Sequence, residues 1–432
     1  MITRSASLLK SLRQEAVALF RDAVAAANPE HAVAAALVER SATFEAVSRI
    51  ILVAFGKAAC PMARAAMPFV RGKLVTAIAL TNHENVEPVD GVEVIAGGHP
   101  IPDQGSIAGA AAIERAVSRA QDGDLVLVLV SGGGSALLCA PPSGIELADK
   151  IALNEALIRS GADISEINAV RPIFSRLKGG QMARLAGKAK VLSLILSDVP
   201  GDNIATIASG PTARPRSSAR RAREVLDKYG LWQNLPAALK CRLEQMNAMT
   251  DTPTDFDNVE NIVIGSNAIS LRAVVGKAET KFGSVVRASD WLEGDVLNAA
   301  AELHRIARAA AERNGPVAVV CGGETTVKVT GNGKGGRNQE LALRFALLNE
   351  LRPIDRPWVF LSGGTDGLDG PTNAAGGIVD AGSLDWMRQL GHDPVGSLEN
   401  NDSYHALASS GDLLITGATG TNVADIQIML MS

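Results

Sequence analysis

Aromatic side chains are scarce in this chain, and no excess of basic charge offsets that scarcity. Aromatic residues make up 3% of the sequence, which leaves little material for the stacking surfaces that bind single-stranded nucleic acid. The net charge of -4 and the pI near 5.9 exclude a global positive field that would attract phosphate polymers or anionic membranes. We therefore expect neither nucleic acid nor a membrane as a partner, and any anion site must be local.

Cysteine is also scarce. The four cysteines, Cys60, Cys139, Cys241 and Cys321, lie far apart and form no C-x-x-C pair, so the sequence indicates neither a zinc site nor a disulfide framework. A reducing cytoplasm is the simplest setting. The first 30 residues mix acidic and basic side chains at helical spacing, which predicts an amphipathic helix rather than a signal peptide. No stretch approaches the roughly 20 apolar residues of a membrane span.

The pattern that is present is an apolar strand, a glycine-containing turn and a helix, repeated along the first half. It occurs at residues 49–67, 91–120, 125–144 and 189–212. Strands that alternate with helices predict an α/β layer fold with right-handed crossovers, and 432 residues suffice for about two or three domains.

A change of texture divides the chain. From Ala213 to about Val259 the sequence is polar and charged, and we place a domain boundary there, with predicted domains at 1–235 and 236–432. Strand-like runs return at residues 261–267, 316–347, 357–380 and 411–430. Valine and threonine alternate in "ETTVKVTG", which favours antiparallel pairing, so we expect a mixed sheet in the second domain.

The stretch "LVLVLVSGGGSALLCAPPSG" (residues 125–144) contains the most informative turn. Its five small residues, Ser131, Gly132, Gly133, Gly134 and Ser135, would let backbone N–H groups converge on an anion, with the dipole of a following helix adding to the attraction. The alternative is a tight turn without a ligand. The stretch matches neither the G-x-G-x-x-G dinucleotide pattern nor a P-loop.

Charged side chains follow three other strands of the first domain. Lys57 comes after the first strand, where it could serve a site or point into solvent. His99 follows the next, as a ligand contact or a buried hydrogen-bonded histidine. Asp198 ends an apolar strand, where it could cap a turn, accept a proton from a hydroxyl or hold Mg²⁺. Ligands of open α/β sheets bind beyond these strand ends.

The second half carries comparable groups. Glu324 follows a strand, and "GNGKGGRNQE" (residues 331–340) is a near miss for a P-loop, with Arg337 and Asn338 where Lys and Ser or Thr would stand. Its glycines, Lys334 and Arg337 would suit a flexible phosphate-binding loop, and the alternative is a solvated hairpin loop. Asp366 and Asp369, in "GGTDGLDGPT", resemble a calcium loop only superficially, and we favour a Mg²⁺ or loop-ordering role for them. No Ser-His-Asp triad or metal-binding histidine pair can be assembled by spacing.

Taken together and in order, these motifs resemble the glycerate 2-kinase family, whose C-terminal portion is the MOFRL domain. The resemblance rests on "FGKAACPMA", "GGHPIPDQGS", "VSGGGSALLCAPP", "NAVRPIFSRLKGGQMA", "LSDVPGDNIATIASGPT", "GGETTV", "GKGGRNQELAL", "GGTDGLDGPTNAAGG", "NDSYHAL" and "TGATGTNVADI". The chain departs from the commoner family wording at Pro172 and Ala418, and neither change removes a charged group.

The resemblance implies a fold and an activity. It implies two α/β domains, the first Rossmann-like and three-layered (α/β/α), with the active site in the cleft between them. It also implies transfer of the γ-phosphoryl group of ATP to the 2-hydroxyl of D-glycerate, with Mg²⁺, to give 2-phosphoglycerate and ADP. Lys57 and Arg337 match the family residues placed at the active site.

From these two lines we expect Lys57, Asp198 and Arg337 to be catalytic. We expect Ser131, Gly132, Gly133, Gly134, Ser135, His99, Glu324, Lys334 and Asn338 to bind substrate or nucleotide, and Asp198 and Asp366 to hold the metal. We also expect that replacing Arg337 with alanine lowers turnover and leaves the fold intact. A monomer or a homodimer is expected.

Two other functions remain open at this point. Members of the family are often labelled hydroxypyruvate reductases, so an NAD(P)H-dependent reductase is the alternative. Such an enzyme should show a dinucleotide fingerprint followed by an acidic residue about 20 positions on, and none is convincing. A regulatory protein that senses glycerate would bind without turnover, and it would ordinarily carry an output domain.

Overall fold

The computed structural model describes residues 2–215, 218–248 and 256–432, and it divides the chain into two compact units. The central unit comprises residues 29–264, and the terminal unit comprises residues 1–28 and 265–432. The predicted split at 235/236 differs from this division, because the first helix packs with the C-terminal half and the central unit continues to residue 264. Part of the predicted boundary segment lies outside the described residues.

The strands, in chain order, are β1 (Ile50–Phe55), β2 (Leu74–Asn82), β3 (Glu93–Gly97), β4 (Leu125–Val130), β5 (Lys190–Ser197), β6 (Val259–Ser266), β7 (Ser284–Arg287), β8 (Leu292–Asp295), β9 (Val317–Thr326), β10 (Trp358–Gly364), β11 (Gly376–Asp380), β12 (Leu413–Leu414) and β13 (Asp425–Met431).

The helices are α1 (Ile2–Ala26), α2 (Pro29–Val38), α3 (Ser41–Ala46), α4 (Ala59–Val70), α5 (Gln104–Val117), α6 (Gly134–Leu137), α7 (Leu147–Arg159), α8 (Ile164–Val170), α9 (Gln181–Leu185), α10 (Ala219–Lys228), α11 (Ala237–Ala248), α12 (Asn267–Phe282), α13 (Val296–Ala311), α14 (Arg337–Leu351), α15 (Ser383–Gln389), α16 (Pro394–Glu399) and α17 (Ser403–Ser410). Among the described residues, no helix combines the length and the apolar character needed to cross a membrane.

The central unit is built on a six-stranded sheet with the order β3-β2-β1-β4-β5-β6. The pairs from β3 to β5 are all parallel. The strands β1 and β4 are buried along their whole length, and alternate residues enter two separate apolar clusters. Helices α2 and α4 supply one cluster, and α5 and α9 supply the other. The continuous apolar runs seen in the sequence therefore reflect burial on both faces.

For two strands of this sheet, the sequence analysis did not predict membership in the sheet. The strand β2 was not predicted, and the run at 261–267 was predicted in the second domain, whereas β6 joins the first sheet. Ile262 and Ile264 of β6 pack against the same cluster as β1, which explains the assignment.

A separate helical cluster completes the central unit. Apolar residues of α7, α8, α10 and α11 pack together, with Leu157, Phe174 and Leu239 almost fully buried. This cluster carries the segment from residue 147 to 178 that lines the cavities described below.

The terminal unit contains a seven-stranded sheet, with the order β12-β11-β10-β13-β9-β7 and with β8 paired to β9. Its pairs are antiparallel except for β7 and β8, which run parallel to β9. The predicted mixed sheet is thus confirmed. One face is covered by α1 and α12, and the other by α13 and α14.

Candidate active site

The loops after β1 and β4 are interlocked at the point where the strand order of the central sheet reverses. The Lys57 amide donates to the Gly132 carbonyl at 2.8 Å, and the Ala58 amide donates to Ser131 Oγ at 3.0 Å. A Cβ on Gly56, which has φ +119°, would lie 2.2 Å from Ser131 Oγ, so only glycine allows this approach. Ligands of open α/β sheets bind at such a switch point.

Three of the predicted side chains lie close to this loop, in space that a Cβ on its glycines would occupy or crowd. A Cβ on Gly132 would lie 2.4 Å from Asp198 Oδ2. A Cβ on Gly133, which has φ +81°, would lie 3.0 Å from the His99 ring and 3.2 Å from Lys57 Cγ. Lys57, His99 and Asp198, predicted from three different strand ends, therefore surround the Ser131 to Ser135 loop.

The electrostatic environment of this loop acts on two of these groups. Burial raises the pKa of Asp198, and the nearby Lys57 charge opposes that rise. Burial lowers the pKa of His99, and Lys57 lowers it further. A carboxylate with a raised pKa is a better proton acceptor than an exposed one, and a histidine with a lowered pKa is mostly neutral at pH 7.

One expectation for the loop was wrong. The helix that follows it, α6, is a single turn of four residues, Gly134–Leu137. A macrodipole accumulates along aligned peptide units, so one turn adds little to anion binding. The loop amides and the surrounding side chains remain as its means of binding an anion.

A cavity of about 170 Å³ lies directly against this loop. Its wall includes all five loop residues, Asp198, Asn168, Arg171 and Thr206, and we call it the loop cavity. Ala208, also in its wall, and the adjacent Ser209 have positive φ values of 50° and 61°. Strained backbone of this kind concentrates at functional sites.

A second cavity of about 220 Å³ adjoins the first and shares Gly133, Ser135 and Arg171 with it. Lys150 and Lys178 also line this second cavity, which we call the cationic cavity. Sequence analysis did not single out these three cations. Arg171 and Lys178 lie in the motif "NAVRPIFSRLKGGQMA", which was used only for the family resemblance, and Lys150 has no local signal.

In the terminal unit, Arg337 is held by two carboxylates. Its guanidinium donates to both oxygens of the fully buried Asp425, at 2.6 and 2.9 Å, and lies 3.3 Å from Glu324. Asp425 raises the pKa of Arg337 against the opposing effect of burial. Arg337 and Glu324 line a cavity of about 580 Å³ together with Gly333, Gly335 and Gly336 of the predicted loop.

The other predicted residues of the terminal unit have different surroundings. Asn338 is 1% exposed, and its side chain bonds Asp369 and Ser362, so it does not line the cavity. The Lys334 ammonium lies 4.7 Å above the Tyr404 ring. Asp366 accepts a hydrogen bond from the Leu368 amide and is not part of the cavity wall.

Asp369, for which the sequence suggested a Mg²⁺ or loop-ordering role together with Asp366, has a structural role at this site. Its carboxylate accepts hydrogen bonds from the backbone amides of Asn338 and Gln339, at 3.1 and 2.9 Å, in the first turn of α14. It therefore caps the helix that begins at Arg337 and fixes that residue's position. Burial raises the pKa of Asp369 to about 6.

A metal ion at this site would have to bind one or two protein carboxylates rather than a larger cluster of ligands. Within residues 2–215, 218–248 and 256–432, no group of three or more His, Cys, Asp or Glu side chains could hold a metal ion. Mg²⁺ in phosphotransferases usually takes one or two protein carboxylates and completes its shell with substrate phosphates and water. Asp198, which faces the loop, fits that mode, whereas the bonds of Asp369 and Asp425 to N–H groups occupy their oxygens.

Known proteins resemble this chain over almost its whole length. The model described as a domain of unknown function (DUF4147) matches residues 15–244, and the MOFRL family model matches residues 317–425. A glycerate 2-kinase of Pyrococcus horikoshii is 38% identical, with 98% of each chain covered. A D-glycerate 2-kinase of Thermotoga maritima is 39% identical, with 98% of this chain and 99% of that protein covered.

Two further relatives bear on function and fold. A protein of Agrobacterium vitis, provisionally named a hydroxypyruvate reductase, is 38% identical over 98% of this chain and 95% of its own length. The crystal structure of a glycerate kinase from Thermotoga maritima superposes with a TM-score of 0.88 at 39% identity, covering 98% of this chain and 100% of that one. The chain therefore belongs to the glycerate 2-kinase family, with its DUF4147 and MOFRL domains.

Proposed function

We propose that the protein is a D-glycerate 2-kinase, which transfers the γ-phosphoryl group of ATP to the 2-hydroxyl of D-glycerate and releases 2-phosphoglycerate and ADP. The full-length similarity to proteins named glycerate 2-kinase supports this proposal. The observation that carries it is the meeting of Lys57, Asp198 and the glycine loop at the switch point of the central sheet. A cation and a proton acceptor, next to a glycine loop that a phosphate can approach closely, suit phosphoryl transfer to a hydroxyl.

Asp198 is the proposed proton acceptor. Its carboxylate lies against Gly132 in the wall of the loop cavity, which is small enough to suit a three-carbon acid. As the 2-hydroxyl oxygen attacks the γ-phosphorus, its proton passes to Asp198 and the bond from phosphorus to the ADP oxygen breaks. The raised pKa of Asp198 matches it to this task.

Lys57 and Arg337 are the proposed charge-neutralising groups. Lys57 lies beside the loop, where it can stabilise the glycerate carboxylate or the transferred phosphoryl group. Arg337 keeps part of its guanidinium exposed beside the cavity of the terminal unit, since its side chain is 32% exposed.

The order β3-β2-β1-β4-β5-β6 supports a Rossmann-like description of the central unit. The cleft between the domains stays a prediction.

Holding Mg²⁺ beside the loop is the alternative role for Asp198, because a bound cation favours the charged carboxylate and makes it a weaker proton acceptor. Mg²⁺ bound with ATP would neutralise charge on the phosphate oxygens. The metal role of Asp366 stays a prediction, as do the ligand-binding roles of Glu324 and Lys334.

A reductase is the second candidate, because a relative is provisionally named for that activity. The strand order is also that of dinucleotide-binding sheets. The turn after β1, however, reads "FGKAACPMA" and places Lys57 where the glycine fingerprint would approach a pyrophosphate. The turn therefore favours the kinase.

One assay separates these functions. The purified protein is incubated with D-glycerate, Mg²⁺ and ATP, and in parallel with hydroxypyruvate and NADH, while ADP formation and NADH loss are followed. The kinase proposal expects ADP to form without NADH loss. NADH loss without ADP would establish the reductase, and ligand binding without either reaction would indicate a sensor.

A further inference from the structure

The cationic cavity collects three basic side chains from the helical cluster of the central unit. Lys150 lies on α7, Arg171 caps the end of α8, and Lys178 precedes α9. Lys178 is 4% exposed, which is rare for lysine unless the group is paired or functional. Three cations at one cavity therefore require an explanation.

Neutral groups hold these cations within the protein. Lys150 Nζ donates to the Phe174 carbonyl at 2.9 Å, and Lys178 Nζ donates to the Ser135 carbonyl at 2.6 Å. Arg171 Nε donates to Asn154 Oδ1 at 2.9 Å. Among the described residues, none of the three forms a salt bridge, although one carboxylate, that of Glu155, also lines the cavity. The structure thus contains concentrated positive charge without a matching carboxylate.

The energetic effect of this arrangement is visible in the lysines. Burial lowers the pKa of Lys150 to about 8, with a further lowering by Arg171. The pKa of Lys178 lies well below its ordinary value, chiefly through burial and then through the charges of Lys150 and Arg171. An anion in the cavity would reverse these effects, because it would favour the charged form of each lysine.

The location of the cavity narrows the choice of anion. It shares Gly133, Ser135 and Arg171 with the loop cavity, so the two cavities adjoin at these residues. Ile101, Ile151 and Leu157 line the rest of the cationic cavity and offer an apolar surface. Several negative charges next to an apolar portion describe a nucleoside triphosphate better than a three-carbon acid with a single charge.

We propose that the cationic cavity binds the polyphosphate of ATP through Lys150, Arg171 and Lys178, with Arg171 at the wall where the γ-phosphoryl group passes to glycerate in the loop cavity. This inference rests on the proposed kinase function. In the transfer, the glycerate 2-oxygen forms the new bond to phosphorus, its proton goes to Asp198, and the leaving ADP keeps the electrons of the broken bond. Arg171 stabilises charge on the group in transit.

The test uses Lys150→Met and Lys178→Met, with Lys188→Met as the matched control. Lys188 is exposed and lines neither cavity. The KM values for ATP and for glycerate are measured separately, and the Kd of inorganic tripolyphosphate is measured by calorimetry. Loss of a charge-assisted hydrogen bond predicts an increase of about tenfold or more in the KM for ATP and in the tripolyphosphate Kd. The KM for glycerate should change little in the two lysine variants. In the Lys188→Met control, the KM for ATP and the tripolyphosphate Kd should also change little.

Two results would overturn the inference. One is an unchanged ATP KM and tripolyphosphate Kd in folded variants, and the other is an increase confined to the KM for glycerate. Arg171→Gln, which keeps a donor for Asn154, replaces any lysine variant that fails to fold, and its tripolyphosphate Kd should rise in the same way. Tripolyphosphate binding needs no turnover. If tripolyphosphate binding depends on the lysines but the protein forms no ADP, the kinase proposal is rejected and the anion site is retained. If the variants keep normal kinase activity and normal tripolyphosphate binding, the anion site is rejected and the kinase proposal is retained.

Discussion

At the scale of single residues, the pair of Arg337 and Asp425 has two consequences. The guanidinium is predicted to serve catalysis, and it also neutralises a carboxylate that is 0% exposed. A buried charge that loses its partner is costly, because the remaining ion cannot be solvated. The structure therefore revises the expectation that Arg337→Ala leaves the fold intact.

We predict that Arg337→Ala lowers the free energy of unfolding by about 3 kcal/mol, near the lower end for buried pairs because the arginine is partly exposed. In the double variant with Asp425→Asn, the two losses should not add, since the buried charge is gone. Denaturant unfolding of both single variants and the double variant measures this coupling. Strict additivity would show that the pair does not stabilise the fold.

Asp198 provides a second prediction at this scale. Asp198→Asn keeps the size of the side chain and removes the proposed proton acceptor, so kcat should fall by about 10²- to 10⁴-fold. In the wild type, kcat should also fall as the pH drops through the raised pKa of Asp198, since the protonated acid cannot accept a proton. The variant should lack that acidic limb. A variant with a normal pH profile and normal kcat would exclude this role.

At the scale of elements, the glycine loop shows what could be predicted from the sequence. The apolar runs of β1 and β4 are continuous and that of β5 is broken only by Ser193, so their positions and the side chains after them could be predicted. The run of β2 is interrupted by threonine and alanine, and it was missed. Lys150, on α7, and Lys178, in the turn before α9, were missed because their approach to the loop depends on long-range packing that no local pattern encodes.

Gly132 tests the loop directly. A Cβ at this position would lie 2.4 Å from Asp198 Oδ2, so Gly132→Ala must displace the carboxylate. We predict a decrease of at least about tenfold in kcat, because misplacement of a catalytic group by about 1 Å is enough to cost that much. Gly72→Ala is the control, since no atom lies within 4 Å of a Cβ there. Equal activity of the two variants would contradict the proposed geometry.

At the scale of the whole molecule, segments that are distant in the sequence pack into the same unit, because residues 1–28 join residues 265–432. The helix α1 begins the chain, yet Leu12, Ala16, Leu19 and Phe20 pack with α12 and the sheet of the terminal unit. Its amphipathic pattern predicted a helix with a buried face, but such a pattern does not identify the partner. The predicted split at 235/236 likewise rested on a local change of composition, and composition does not show which segments pack together.

Phe20 measures how strongly α1 stabilises the terminal unit. The ring is fully buried, and a Cβ on Gly363 would lie 2.9 Å from it. Phe20→Ala should lower the free energy of unfolding by about 3–5 kcal/mol through lost burial and a cavity. Arg21→Ala, at an exposed position of the same helix, is the control. A loss below about 1 kcal/mol would show that α1 is dispensable for that core.

The position of the new phosphate ester tests the central claim most directly. Purified protein is incubated with D-glycerate, Mg²⁺ and ATP, and the product is examined by proton-coupled phosphorus NMR. A phosphate on the 2-hydroxyl is coupled to a single proton and gives a doublet, whereas a phosphate on the 3-hydroxyl is coupled to two protons and gives a triplet. We predict the doublet of 2-phosphoglycerate. The triplet, or no new phosphate ester at all, would contradict the account.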